Sequence, residues 1–100
     1  METQKPPLPA GTSREDIGSR IRVTRKALGY SPTEVCSELG IRRSTWSMNE
    51  AGKSLPNPYD MIRFCERYGP SLDWIYRGKL TGVDHELATK ITDLLKERTS

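Results

Sequence analysis

The run Gly29-Tyr30-Ser31-Pro32-Thr33-Glu34-Val35-Cys36-Ser37-Glu38-Leu39-Gly40-Ile41-Arg42-Arg43-Ser44-Thr45-Trp46-Ser47-Met48-Asn49-Glu50-Ala51-Gly52-Lys53 decides the fold. Ser31 suits an N-cap, Pro32 the first helical position, and Glu34 completes a capping box, so a helix starts here. Val35, Cys36 and Leu39 share its inward face. Gly40 accepts the left-handed backbone that a tight turn needs. A second helix is expected from about Arg43 to Ala51, with Ile41 and Trp46 directed to the core and Gly52 as its C-cap. Small, polar and cationic residues gather at the start of that second helix, and a Gly-Lys pair follows its end.

Working outward, Ser13 caps a helix expected over Arg14 to Leu28, with Glu15 and Asp16 in its first turn and Gly29 ending it. Ile17, Ile21, Ala27 and Leu28, with Val23 or Thr24 between them, make its apolar stripe. Downstream, Asn57-Pro58 starts a fourth helix, with Met61, Ile62, Phe64, Cys65 and Tyr68 inward and Gly69-Pro70 as its stop. A fifth begins at Ser71 and carries Leu72, Trp74, Ile75 and Tyr76 to Gly78. No strand pattern occurs, so the expected fold class is all-α. Residues 1–13 hold Pro6, Pro7, Pro9 and Gly11 and too little apolar surface to order themselves, which predicts a disordered arm ahead of a domain at 14–78.

Residues 83–98 read as a sixth, amphipathic helix. Val83, Leu87, Ala88, Ile91, Leu94 and Leu95 form one face, and Glu86, Lys90, Asp93, Lys96 and Glu97 the other. Five helices already complete a core. Two outcomes therefore stay open for Leu87, Ile91, Leu94 and Leu95: contact with a second copy or another protein, or packing back on their own chain.

Charge is unevenly placed. Residues 20–53 carry seven cations (Arg20, Arg22, Arg25, Lys26, Arg42, Arg43, Lys53) against three acids, whereas residues 54–100 carry seven of each. The positive excess thus falls on the two-helix stretch, as a polyanionic partner requires. A short helix pair with a cationic second helix is the layout that sets one helix in the DNA major groove. Other classes are disfavoured. No apolar run approaches the roughly 20 residues that span a bilayer, and the N-terminus lacks the apolar segment of a secretory signal. Cys36 and Cys65 lie 29 positions apart outside any metal-ligand spacing, consistent with thiols of a reducing cytoplasm. The single histidine, His85, is flanked by Asp84 and Glu86, but adjacent helix positions do not converge. No catalytic residues, no metal site and no cofactor are expected, and no phosphate-binding glycine loop occurs.

Residues 17–78, about two thirds of the chain, resemble the Cro/repressor-type helix-turn-helix family, also called the xenobiotic-response-element family of phage repressors and small bacterial regulators. The matching marks, in order, are Ile17-Gly18-x-x-Ile21-x-x-x-Arg25, Gly29-Tyr30-Ser31, Glu34-Val35, Leu39-Gly40-Ile41, Ser44-Thr45, Glu50-x-Gly52-Lys53, Pro56, and Leu72-Asp73-Trp74-Ile75-Tyr76-Arg77-Gly78. The resemblance implies a five-helix, lambda-repressor-like DNA-binding domain with an additional C-terminal helix. It also implies a homodimer on an inverted repeat of double-stranded DNA in the cytoplasm, more often repressing transcription than activating it.

The resemblance places base reading on Arg43, Ser44 and Met48, with Thr45 and Ser47 at the border. An arginine can donate two hydrogen bonds to guanine O6 and N7, a contact worth about 1–3 kcal/mol of discrimination. Met48 either touches a thymine methyl or is a half-buried spacer. Phosphate contacts are expected from the N-terminus of the second helix with Ser31 and Thr33, and from Arg42 and Lys53. Arg22 either joins them or is simply solvated. Arg25 and Glu50 match the family's buried ion pair, which orients the recognition helix instead of reading DNA. Three departures stand out. Pro32 replaces a phosphate-gripping glutamine, Ala51 replaces a residue that is often Asn or Arg, and Trp46 with Asn49 exchanges the usual sizes of two core positions. That exchange is either a volume trade or a distortion of the recognition helix. A different class of function also stays open: a protein-interaction module or antitoxin that uses the helix pair as scaffold and the sixth helix to engage a partner.

Overall fold

The computed structural model describes residues 5–99, with side chains described to Glu97. Six helices occur among them and no strand: α1 (Arg14–Leu28), α2 (Pro32–Leu39), α3 (Arg43–Glu50), α4 (Pro58–Tyr68), α5 (Leu72–Arg77) and α6 (His85–Thr99). The expected caps form. Ser13, Ser31, Asn57 and Ser71 each accept a hydrogen bond from a backbone N–H in the first turn of α1, α2, α4 and α5. Such a cap contributes about 1 kcal/mol. The α2–α3 turn is made by Gly40 at φ +71°, a conformation in which a side chain is strained.

α1 is the hub, packing against α3, α5 and α6. Its inner residues Ile17, Ile21 and Val23 join Val35, Trp46, Met61, Phe64, Ile75 and Ile91 in one core. Trp46 meets Phe64 edge to face, with ring centroids 5.6 Å apart. Gly18 lets α1 and α3 touch, because a Cβ there would lie 2.4 Å from the Asn49 carbonyl oxygen and 2.8 Å from that of Glu50. Both are backbone atoms that cannot swing aside. Polar groups inside the core are paired. Thr24 donates to the Arg20 carbonyl at 2.6 Å and accepts from Trp74 Nε1 at 2.8 Å.

Several expectations need correction. Ile62 and Leu72 are 43% and 38% exposed and do not belong to the core. On α4 the buried pair Met61 and Phe64 centres the apolar stripe and leaves Ile62 on its rim; α5 is only six residues long and is held by Trp74 and Ile75. Arg20, counted above among the cations of residues 20–53, serves the fold. It donates to the Ile75 carbonyl at 3.2 Å and to the Gly11 carbonyl, and its guanidinium lies 5.8 Å from the Trp74 ring centroid. The expected arm is only partly a separate segment. Residues 1–4 lie outside the described residues, but Leu8, Pro9 and Thr12 line an apolar groove with Ile17, Leu55, Pro56, Pro58 and Tyr76.

The sixth helix packs back on its own chain. Val83 is buried just before α6 begins, Leu87 and Ile91 are 7% and 0% exposed, and Leu94 and Leu95 are half-buried against the same core. Leu87 and Ile91, expected as candidates for contact between copies, are therefore committed to the monomer's core, because α1 offers them an apolar surface along its length.

Candidate nucleic-acid interface

α3 is held by one face and exposed on the other. On the inner face Trp46 is fully buried and Asn49 is 3% exposed. Glu50 accepts from Arg25 Nε at 2.7 Å, from Arg25 Nη2 at 3.1 Å and from Trp46 Nε1 at 2.5 Å. The same Arg25 donates from Nη1 to the Tyr30 carbonyl at 2.9 Å, so one guanidinium ties α1, the α1–α2 junction and α3 together. Charge-assisted bonds of this kind are the stronger ones, and burial makes each partner necessary to the other. Asn49 Nδ2 reaches Ser54 Oγ at 3.0 Å and the Ser54 carbonyl at 3.3 Å, which pins the loop after α3.

The outer face of α3 carries Arg43, Ser44, Thr45, Ser47 and Met48, all exposed. Its N-cap, Arg42, accepts from the Trp46 N–H through its carbonyl at 3.0 Å but makes no side-chain cap to the amides before it. Arg43 also lies beside the Cys36 thiol on α2. Burial pushes that thiol above its ordinary value, and the guanidinium pulls it partly back. Arg22 from α1, Pro32 from α2, and Arg43, Ser47 and Ala51 line one shallow cleft. Two cations from different helices thus converge at the edge of α3, beside the Glu50 carboxylate that Arg25 already pairs.

At the start of α2 the Ser31 backbone N–H donates to Glu34 Oε1 at 2.9 Å, and the Glu34 amide donates to Ser31 Oγ at 3.1 Å. Both Ser31 groups are used in capping. The Glu34 carboxyl is held below the ordinary glutamate range, chiefly by the hydrogen bond from the Ser31 backbone, so it stays ionised beside the N-terminus of α2. With Pro32 lacking an N–H, this terminus is a weaker anion site than helix polarity alone provides. Thr33 is exposed there. Lys53 is exposed, and its backbone is fixed by a 3.0 Å bond from its N–H to the Met48 carbonyl.

The structure brings Arg22, Arg42, Arg43, Ser44, Thr45, Ser47, Met48 and Lys53 onto or beside the solvent side of α3. It joins Arg25 to Glu50 and leaves Leu87, Ile91, Leu94 and Leu95 at the α1–α6 seam. Sequence reading missed Trp46 as a donor to Glu50, although the i,i+4 spacing signals it, and it missed Asn49 as the residue that holds Ser54. No cluster of metal-ligating side chains occurs among the described residues, and no helix among them is long and apolar enough to cross a membrane.

Comparison with known proteins agrees with this architecture. No curated protein and no solved structure matches the chain. One family, described as a helix-turn-helix domain, matches residues 18–80, which takes in the part of α1 that holds α3 and all of α2 to α5. Helix-turn-helix domains commonly bind DNA, with the second helix of the pair in the major groove. Because that match covers well over half its length, the chain belongs to the helix-turn-helix domain family.

Proposed function

We propose that the chain is a sequence-specific regulator of transcription, a repressor of the Cro/repressor type, that binds double-stranded DNA as a homodimer on an inverted repeat with α3 in the major groove. It needs no cofactor and catalyses no reaction. The observation that carries this reading is the two-sided character of α3. Trp46, Asn49 and Glu50 hold it to the domain, while Arg43, Ser44, Thr45, Ser47 and Met48 face solvent with a cation at the leading end. Arg43 reads guanine, Ser44, Thr45 and Ser47 add weaker polar contacts, and Met48 supplies an apolar contact of the kind that meets a thymine methyl. Arg22, Thr33, Arg42 and Lys53 set the register on phosphate, and Ser31 contributes less because its hydroxyl and amide serve the cap.

Pairing of two copies falls to apolar surface that the fold leaves uncovered. Leu55, Tyr59 and Ile62 are 57%, 71% and 43% exposed, and Leu55 follows Lys53 by two positions. Two of the charged pairs on this side, Arg63 with Asp60 and Arg77 with Asp73 at 3.0 Å each, are matched within the chain. The reading is tested by retention on random duplexes at rising salt. Selected duplexes carrying an inverted repeat are expected to stay bound at salt that releases mixed sequence. Release of both at the same salt contradicts sequence-specific binding.

A further inference from the structure

We infer that Glu97 on α6 opposes a phosphate-binding ledge formed by Arg22 and Lys26 on α1, so that the helix packed onto the five-helix unit sets how tightly the domain holds the DNA backbone. The inference rests on the DNA-binding reading above and extends it to a helix and a residue outside the matched family region. Arg22, Val23 and Lys26 of α1 and Leu94 and Glu97 of α6 line one cleft of about 270 Å³. Arg22 and Lys26 are four apart on the exposed side of α1, so their cationic ends are neighbours. Arg22 also lines the adjoining cleft with Arg43 and Ser47, which makes the ledge continuous with the edge of α3.

Glu97 is not there by a wandering side chain alone. Leu94, packed against the core one turn earlier, sets that end of α6 on α1. A phosphate approaching the ledge therefore meets two cations and one acid. Beyond the cleft, removing the acid takes a charge from an exposed side chain. The effect is local, because exposed charges farther apart than about 8–10 Å are screened at physiological salt.

The test compares Glu97→Gln, Glu86→Gln and Lys26→Ala with the unaltered full chain on a mixed-sequence DNA duplex, titrated across salt. Circular dichroism checks that each variant is folded. Glu86 lies about 16 Å back along α6, so its variant makes the same change in net charge away from the ledge. Glu97→Gln is expected to bind about threefold tighter at low salt, with the gain shrinking as salt rises. Glu86→Gln is expected to match the unaltered chain. Lys26→Ala is expected to flatten the slope of log affinity against log salt by about 1. Equal gains for the two glutamines reduce the effect to net charge and overturn the inference. So does weaker binding by Glu97→Gln, which makes Glu97 a support for Arg22 instead of an opponent of phosphate. Failure of the unaltered chain to bind DNA at all overturns the DNA reading, and the inference with it.

Discussion

Glu50 accepts three hydrogen bonds, two from Arg25 and one from Trp46, in a site where its side chain is 11% and that of Arg25 9% exposed. This carboxylate decides where α3 sits. Glu50→Gln retains an acceptor for Trp46 but leaves the Arg25 charge uncompensated, so it is expected to cost about 3–5 kcal/mol in urea unfolding. An unchanged midpoint contradicts the role assigned to the pair. The Arg25 and Glu50 partners were legible from the ordered motif, and the resemblance placed Arg43, Ser44, Thr45, Ser47 and Met48 on the face of α3 that is exposed. The indole donor was not, because Trp46 reads as a core residue by size and nothing in a hydrophobic pattern announces its N–H. Nor was the part played by Arg20, whose acceptors are the backbone carbonyls of Ile75 and Gly11. A polar side chain that pairs with backbone leaves no pattern of residue types to read.

At the level of helices, the starts and stops were the clearest signals. Caps at Ser13, Ser31, Asn57 and Ser71 act over three residues, and the left-handed glycines at 29, 40, 69 and 78 act over one or two. Which residues of a helix face inward depends on neighbours far along the chain, and there Ile62 and Leu72 were misjudged. The capping box of α2 carries a pH dependence. Its Glu34 carboxyl is depressed in the folded chain, so the stabilisation is present above the unfolded glutamate value and is lost as pH falls through the folded one. Glu34→Gln is expected to flatten the acid limb of the stability–pH profile and leave the neutral-to-alkaline limb in shape. A profile parallel to that of the unaltered chain contradicts this. For α6, the commitment of Ile91 to the core predicts that Ile91→Ala loses about 2–5 kcal/mol. That difference from the unaltered chain is expected to be the same at every protein concentration, whereas a difference that changes with concentration puts Ile91 between chains.

Over the whole molecule, α1 and the core beneath it act as a frame that presents α3 and leaves apolar surface beside it at Leu55, Tyr59 and Ile62. Leu55→Lys adds charge to that surface without entering the core. It is expected to leave helicity and stability close to those of the unaltered chain while weakening self-association in sedimentation. Unchanged association moves the pairing surface elsewhere. The fate of the sixth helix was not decidable from its own stripe, since an apolar face fits a partner or its own domain equally well. It became clear only with α1 placed beside it. The central claim is that the outer face of α3 reads bases. The most direct test is selection of bound duplexes from a random library, the unaltered chain beside Arg43→Ala. The unaltered chain is expected to select an inverted repeat with half-site centres about 10 base pairs apart, and the variant the same repeat with preference lost at one position in each half. An identical motif for both, or no motif for either, contradicts it.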